Sequence, residues 1–236
     1  MRKFWSYITN DKYSVGCTGG TVYVYDANGA ELTRFKDIRY AYHPIFSPDG
    51  STLLVKSTAD YFVVYSLETL SLKHKVRFSN VGGSQDDGYT FSVDGAYFYN
   101  IERQKFSYNH AISIYDTSDF SRINMFFEDD NITEPNFIEH NSEGNLFVLG
   151  FCRGDNRVKC HNFISRFSAE CGLTDMYEIS QEDYSFYRNF KSLERSGFTD
   201  KAKQWSGFIY DGVDMTGMEN QRHPLSELWE KYAAQK

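Results

Sequence analysis

The chain has 236 residues and is 41% hydrophobic, with 20 Phe and 18 Tyr against only four Pro. That composition excludes a disordered chain and favours half-buried strands, where aromatic and β-branched side chains fit best. A formal net charge of −7 offers no cationic face of the kind duplex nucleic acid requires, so no duplex nucleic-acid partner is expected.

In chain order, the amino-terminal stretch MRKFWSYITNDKYS lacks the apolar core of a signal peptide, and no later run reaches the ~18 apolar residues of a membrane span. A cytosolic protein without a membrane partner is the expectation. The first β-rich unit reads FWSYIT, KYSVGCT, TVYVYD and ELTRFK. The second reads AYHPIF, TLLVKS, YFVVYS and KHKVRFS, and the third GYTFS, AYFYNIE, AISIYD and SRINMFF. The fourth reads NFIEH, NLFVLGF, HNFISRF and LTDMYEI. Short β-runs bounded by Gly, Asn, Asp and Ser are hairpin signals. Within 181–215, Phe186, Phe190 and Leu193 are spaced like a helix face, whereas QWSGFIYDGVDM (204–215) reads as part of a divergent fifth unit. At the end, HPLSELWEKYAAQK predicts a helix over 222–234. Pro224 suits its start, and Leu225, Leu228, Trp229 and Tyr232 make an apolar stripe. A stripe this short needs a surface to cover, and the rim or an open sheet edge is the expected place.

Two motifs share one period. SPDG, SVDG and NSEG end at Gly50, Gly95 and Gly144, 45 and 49 residues apart. A second motif, a β-run closing on an aromatic or basic residue and a polar turn, aligns Tyr25, Tyr65, Tyr115, Arg166 and Tyr210 at spacings of 40, 50, 51 and 44. A repeat of this length built from four strands cannot bury both of its faces alone, and radial packing of neighbours solves that. Through FSPDG, FSVDG and the VYVYD and SIYD endings, residues 1 to 180 resemble the WD-repeat-like β-propeller superfamily. The Gly-His pair and the Trp-Asp pair frequent in that superfamily are absent. The resemblance implies one all-β domain over 1–236: a small β-propeller of four clear four-stranded blades plus a divergent fifth, with a C-terminal helix packed on it. A ring left open within one chain would be completed by a second copy, making a homodimer.

In such a scaffold the longer connections gather on one face, and they hold the residues that stand out chemically. Arg39, Tyr40 and Tyr42 belong to the first (36–43), Arg103, Lys105, Phe106 and Tyr108 to another (102–110), and Arg153 and Arg157 to a third (152–160). Asp86, Asp87, Asp129 and Asp130 supply an acidic counterpart. Arg and Tyr are enriched at the centres of interfaces, so the expected role is recognition of a protein partner, as an adaptor or a neutraliser of a toxin-like enzyme. The alternative is a carbohydrate-active hydrolase with an acidic pair, such as Asp87 and Asp129, on the same face. Cys152, Cys160, His161 and Cys171 lie too far apart for a zinc signature. With Cys17, the cysteines are expected as reduced thiols. No cofactor motif is visible: VGGSQDDG lacks the P-loop lysine.

Overall fold

The computed structural model describes residues 4–77, 88–103, 110–127, 133–154, 159–167, 172–196, 209–210, 213–214 and 221–236. The chain is mostly β. Its four antiparallel sheets each hold four strands in sequential order. The first sheet comprises β1 (Ser6–Thr9), β2 (Tyr13–Thr18), β3 (Thr21–Asp26) and β4 (Glu31–Phe35). The second comprises β5 (Ala41–Phe46), β6 (Thr52–Ser57), β7 (Tyr61–Ser66) and β8 (Ser71–Arg77). The third holds β9 (Tyr89–Phe91), β10 (Tyr97–Arg103), β11 (His110–Asp116) and β12 (Arg122–Phe126). The fourth holds β13 (Thr133–His140), β14 (Leu146–Arg153), β15 (Lys159–Phe167) and β16 (Leu173–Ile179). Helix α1 (Gln181–Ser196), the short pair β17 (Ile209–Tyr210) and β18 (Val213–Asp214), and helix α2 (Leu225–Ala233) follow.

The repeated turns are alike down to the hydrogen bond. In 47–50 the Gly50 amide donates to the Ser47 carbonyl (2.9 Å), and in 92–95 Gly95 donates to Ser92 (3.0 Å). The Ser47 hydroxyl donates to Asp49 (2.5 Å) and accepts from the Thr52 amide (3.0 Å). Ser92 does the same with Asp94 (2.6 Å) and the Tyr97 amide (2.9 Å). Gly50 and Gly95 sit at φ 71° and 74°, the left-handed region that costs a glycine nothing. The hydrogen bonds from Ser47 and Ser51 hold the Asp49 carboxyl down at about 2, and Ser92 likewise lowers Asp94.

The chain divides into two compact units, one built on residues 1–85 and the other on 86–192 with the carboxy-terminal segment. In the first, Val15 and Cys17 of β2 and Val22 and Val24 of β3 meet Leu53 and Val55 of β6 and Val63 and Tyr65 of β7. Phe35 stacks on Tyr65 with ring centroids 3.9 Å apart. Every residue of β7 is buried, so this inner strand of the second sheet is covered on both faces, whereas the outer β8 is mostly exposed.

In the second unit, alternation in β14 serves two cores. Leu146 and Val148 face the third sheet, with Ile101, Ile112 and Ile114. Phe147 and Leu149 face the helices, with Tyr184 of α1 and Leu225 and Leu228 of α2. The fourth sheet is therefore sandwiched between the third sheet and the two helices. Gly150 lets β13 come close: a Cβ there would lie 2.4 Å from the Glu134 carbonyl oxygen and 2.6 Å from the Phe163 ring.

Two expectations change here. Residues 181–196 are helical, not part of a fifth four-stranded unit, and only the β17–β18 pair is strand among the described residues beyond 180. The reason is local. Ser180 accepts the Asp183 amide on its hydroxyl (3.1 Å) and the Tyr184 amide on its carbonyl (3.0 Å), a capped start with Glu182 and Asp183 in the first turn. The spacing of Phe186 and Phe190 had already pointed to a helix. The second change concerns α2, which covers the face of the β14–β16 layer and not an edge or rim. Pro224 is its N-cap residue, and Glu139 accepts the first helical amide, that of Leu225 (3.2 Å). Asp183 ties the helices together by accepting from Lys231 (2.8 Å) and Tyr232 (2.6 Å).

Among the described residues no helix is long and apolar enough to cross a membrane. Leu228→Ala is expected to lower stability by about 2–5 kcal/mol, because it opens a cavity under α2. Ile123→Ala, at a side chain 53% exposed, should stay within about 0.5 kcal/mol of wild type. Urea unfolding midpoints check both.

Candidate functional site

A row across the second sheet sets out the site. Ala41 pairs with Ser57, Ser57 with Tyr61 and Tyr61 with Arg77. These four positions mark one end of the sheet, opposite the 47–50 turn. The connection from β4 to β5 arrives at the same end and is fastened there by its backbone. The Arg39 amide donates to the Tyr61 hydroxyl (2.6 Å), the Ser57 hydroxyl donates to the Arg39 carbonyl (2.5 Å), and the Thr58 amide donates to the Tyr40 carbonyl (3.3 Å). Tyr40 takes φ 52°, a conformation unfavourable to a side chain of its size, held by these bonds. The residue is 64% exposed.

Between this connection and β8 lies a cleft of about 680 Å3, lined by Lys36, Asp37, Arg39, Ala59, Tyr61, Lys75 and Arg77. Four cations thus face one carboxylate, on a chain whose net charge is −7. Tyr61 is buried and forms the aromatic part of the wall. Lys75 lies over the Tyr61 ring, 4.4 Å from its centroid, and donates to the Asp37 carbonyl (2.9 Å). Lys36, Arg39 and Arg77 are exposed and have no ion-pair partner among the described residues. Their guanidinium and ammonium groups are therefore available to an anion that enters the cleft. The size is that of an ordinary ligand or side-chain pocket.

In the second unit, the corresponding strand ends carry a different arrangement. Arg103 of β10 pairs in register with His110 of β11. His110 Nδ1 lies 3.6 Å from Glu134 Oε2, and Arg153 grips the same carboxylate through Nε and Nη2, the latter at 3.1 Å. Burial opposes ionisation of Glu134, but His110 and Arg153 outweigh it and bring its pKa down to about 2. Arg153 also lies over the Phe151 ring, 5.0 Å from its centroid. Its charge is thus largely spent inside the unit, unlike that of Arg39.

Of the residues expected to contact a partner, Arg39 lines the cleft and Tyr40 follows it on the same connection, and Arg103 and Arg153 stand at the strand ends of the second unit. Tyr42 lies within β5, its backbone part of the strand and its side chain outside the described residues. Asp86, Asp87, Lys105, Phe106, Tyr108, Asp129, Asp130 and Arg157 also lie outside the described residues. Reading the sequence missed Lys36, Asp37, Tyr61, Lys75 and Arg77. The signal was the alternation Lys73, Lys75, Arg77 in KHKVR, three cations on a strand whose neighbour β7 is buried along its whole length. Glu134 was also missed, because its partners come from two other strands.

Cys17 and Cys152 are buried and Cys160 is exposed, and burial pushes the Cys17 thiol up to about 12. Cys171 lies outside the described residues. Among the described residues no group of three or more His, Cys, Asp or Glu side chains is placed to hold a metal ion. No protein-family model matches the chain, and no curated protein is similar to it in sequence.

The Glu134 carboxylate has a clear pH signature. Its folded pKa of about 2 lies below the ordinary value of 4.5, so the stabilisation from its ionised form is complete above pH about 4.5 and fades as pH falls towards 2. Glu134→Gln should lower stability at pH 7 and flatten the loss of stability between pH 5 and pH 2, as read from urea midpoints across that range.

Proposed function

We propose that the protein is a recognition module that binds another protein through the loop-bearing ends of its sheets. The observation that carries this reading is the cleft at the end of the second sheet. It combines a hydrogen-bonded connection with three cations without ion-pair partners among the described residues, and the exposed Tyr40 follows Arg39 on that connection. Rigid connections bind more tightly than free ones because less ordering is left to do on contact. Charged groups near such a surface steer encounter and select the partner. Catalysis has less behind it: a glycosidase needs two carboxylates facing each other, and Asp37 is the only one among the cleft residues.

The scaffold for this role, in our reading, is a propeller-like stack similar to that of the WD-repeat proteins. The four sheets act as blades, and α1, α2 and the β17–β18 pair take the place of a full fifth. Three features support it: four successive four-stranded sheets, the shared turn chemistry, and the burial of both faces of β7 and β14. A ring of blades is the arrangement that shelters such faces with short edges only.

Two measurements test these statements separately. A compact particle of this length should show a radius of gyration of roughly 18 Å in small-angle scattering, and a clearly larger value would remove the propeller. For binding, the tagged protein is used to capture partners, with Arg39→Glu and Tyr40→Ala beside Lys12→Glu, a change of charge on the β1–β2 turn. Specific capture should be lost with the first two and kept with the third. Capture indifferent to Arg39 and Tyr40 would remove this surface from the reading.

A further inference from the structure

The edge strand β8 adds information about what the cleft recognises. It is the outermost strand of its sheet, and among the described residues no strand pairs with its outer side, where an added strand can join. Arg77 stands directly opposite Tyr61, and Lys75 opposite Val63, so their side chains project to the same face as those residues. They lie two residues apart on an extended strand, roughly 7 Å. On that face they meet Lys36 and Arg39 from the facing connection.

We propose that the cleft takes a short, extended, carboxylate-rich segment of a protein partner, laid beside β8 with acidic side chains at alternate positions. This rests on the recognition role argued above. Three observations converge on it. The lining carries four cations to one carboxylate, and three of the four have no ion-pair partner among the described residues. The two from β8 repeat at the spacing of alternate residues in an extended chain. Finally, Lys75 is pinned by the Asp37 carbonyl and the Tyr61 ring, so its charge is held in place before a partner arrives.

A small isolated anion fits less well. The four cations come from separate segments, the β4–β5 connection and β8, and the two on β8 are spread along the strand by roughly 7 Å. A second copy of β8 is disfavoured too. Its own Lys73, Lys75 and Arg77 would face like charges, an arrangement that costs energy across paired strands. The same charges that deter self-pairing therefore select an acidic strand.

The test uses an eight-residue peptide alternating Thr and Glu, titrated into the 15N-labelled full chain at low salt. Amide shifts should concentrate on residues 36–40 and 73–77. Lys75→Glu and Arg77→Glu should each weaken binding roughly tenfold. Lys12→Glu, with the same change in net charge, should leave it unaltered. Thermal melting of each variant verifies folding. A peptide with Pro in place of every Thr, which cannot pair its backbone with β8, should bind at least several-fold more weakly.

Equal losses from Lys12→Glu would reduce the effect to general charge and overturn the proposal. So would tripolyphosphate shifting the same amides with equal affinity, since the site would then be one for small anions. If the peptide does not bind while partner capture still depends on Arg39, the acidic segment falls and the recognition role stands. If capture ignores Arg39 and Tyr40, that role itself falls.

Discussion

A sheet whose strands are apolar on both sides must be covered twice, and this constraint shapes the molecule. β7 has no exposed residue, and β14 is buried along almost its whole length. Neither could belong to a sheet with one wet face, where inward and outward residues alternate between apolar and polar. In the fourth sheet the two covers differ in kind. One is another sheet, through Leu146 and Val148, and the other is a helical layer, through Phe147 and Leu149. The helices thus serve where the repeat stops: they shelter the outward side of the last four-stranded sheet without offering a further edge for strands to join.

The amino-terminal sheet handles the same constraint more cheaply. Its β3 strand buries Val22 and Val24 on one side and leaves Tyr23 and Tyr25 half-buried on the other. Phe4 folds over that second side, its ring against Gly16 and close to Tyr7, Tyr23 and Tyr25. Here aromatic bodies with polar tips do the covering, which suits a surface that stays partly wet.

Much of this was legible in the residues because the turns are chemically explicit. Ser-x-Asp-Gly encodes a left-handed glycine and a hydroxyl bridging Asp and the strand amide, and it does so at both 47–50 and 92–95. Strand existence and order followed from the turns, and α2 from the spacing of Leu225 and Leu228. Helix α1 was partly legible, since Phe186 and Phe190 are spaced as on a helix, and its local cap, Ser180 accepting the Asp183 amide, fixes where it starts. The cleft escaped because it is set by relations across the chain. Lys75 and Arg77 read as the solvated side of an outer strand until the β4–β5 connection is placed across from them. Likewise, Arg153 reads as a free anchor until Glu134, from a neighbouring strand, claims it.

The cationic residues of β8 carry a second meaning that bears on the choice between function and mere protection. Lysines on an edge strand commonly serve to keep sheets from joining, and Lys73 alone would do that for β8. Protection does not require that the facing connection be basic as well, nor that it be fastened. Yet Lys36 and Arg39 stand opposite, and the Arg39 backbone is bonded on both its amide and its carbonyl side, to Tyr61 and Ser57. No carboxylate among the described residues forms an ion pair with Lys36, Arg39 or Arg77. In the proposed reading, an acidic partner supplies the carboxylates that the cleft lining holds only in Asp37.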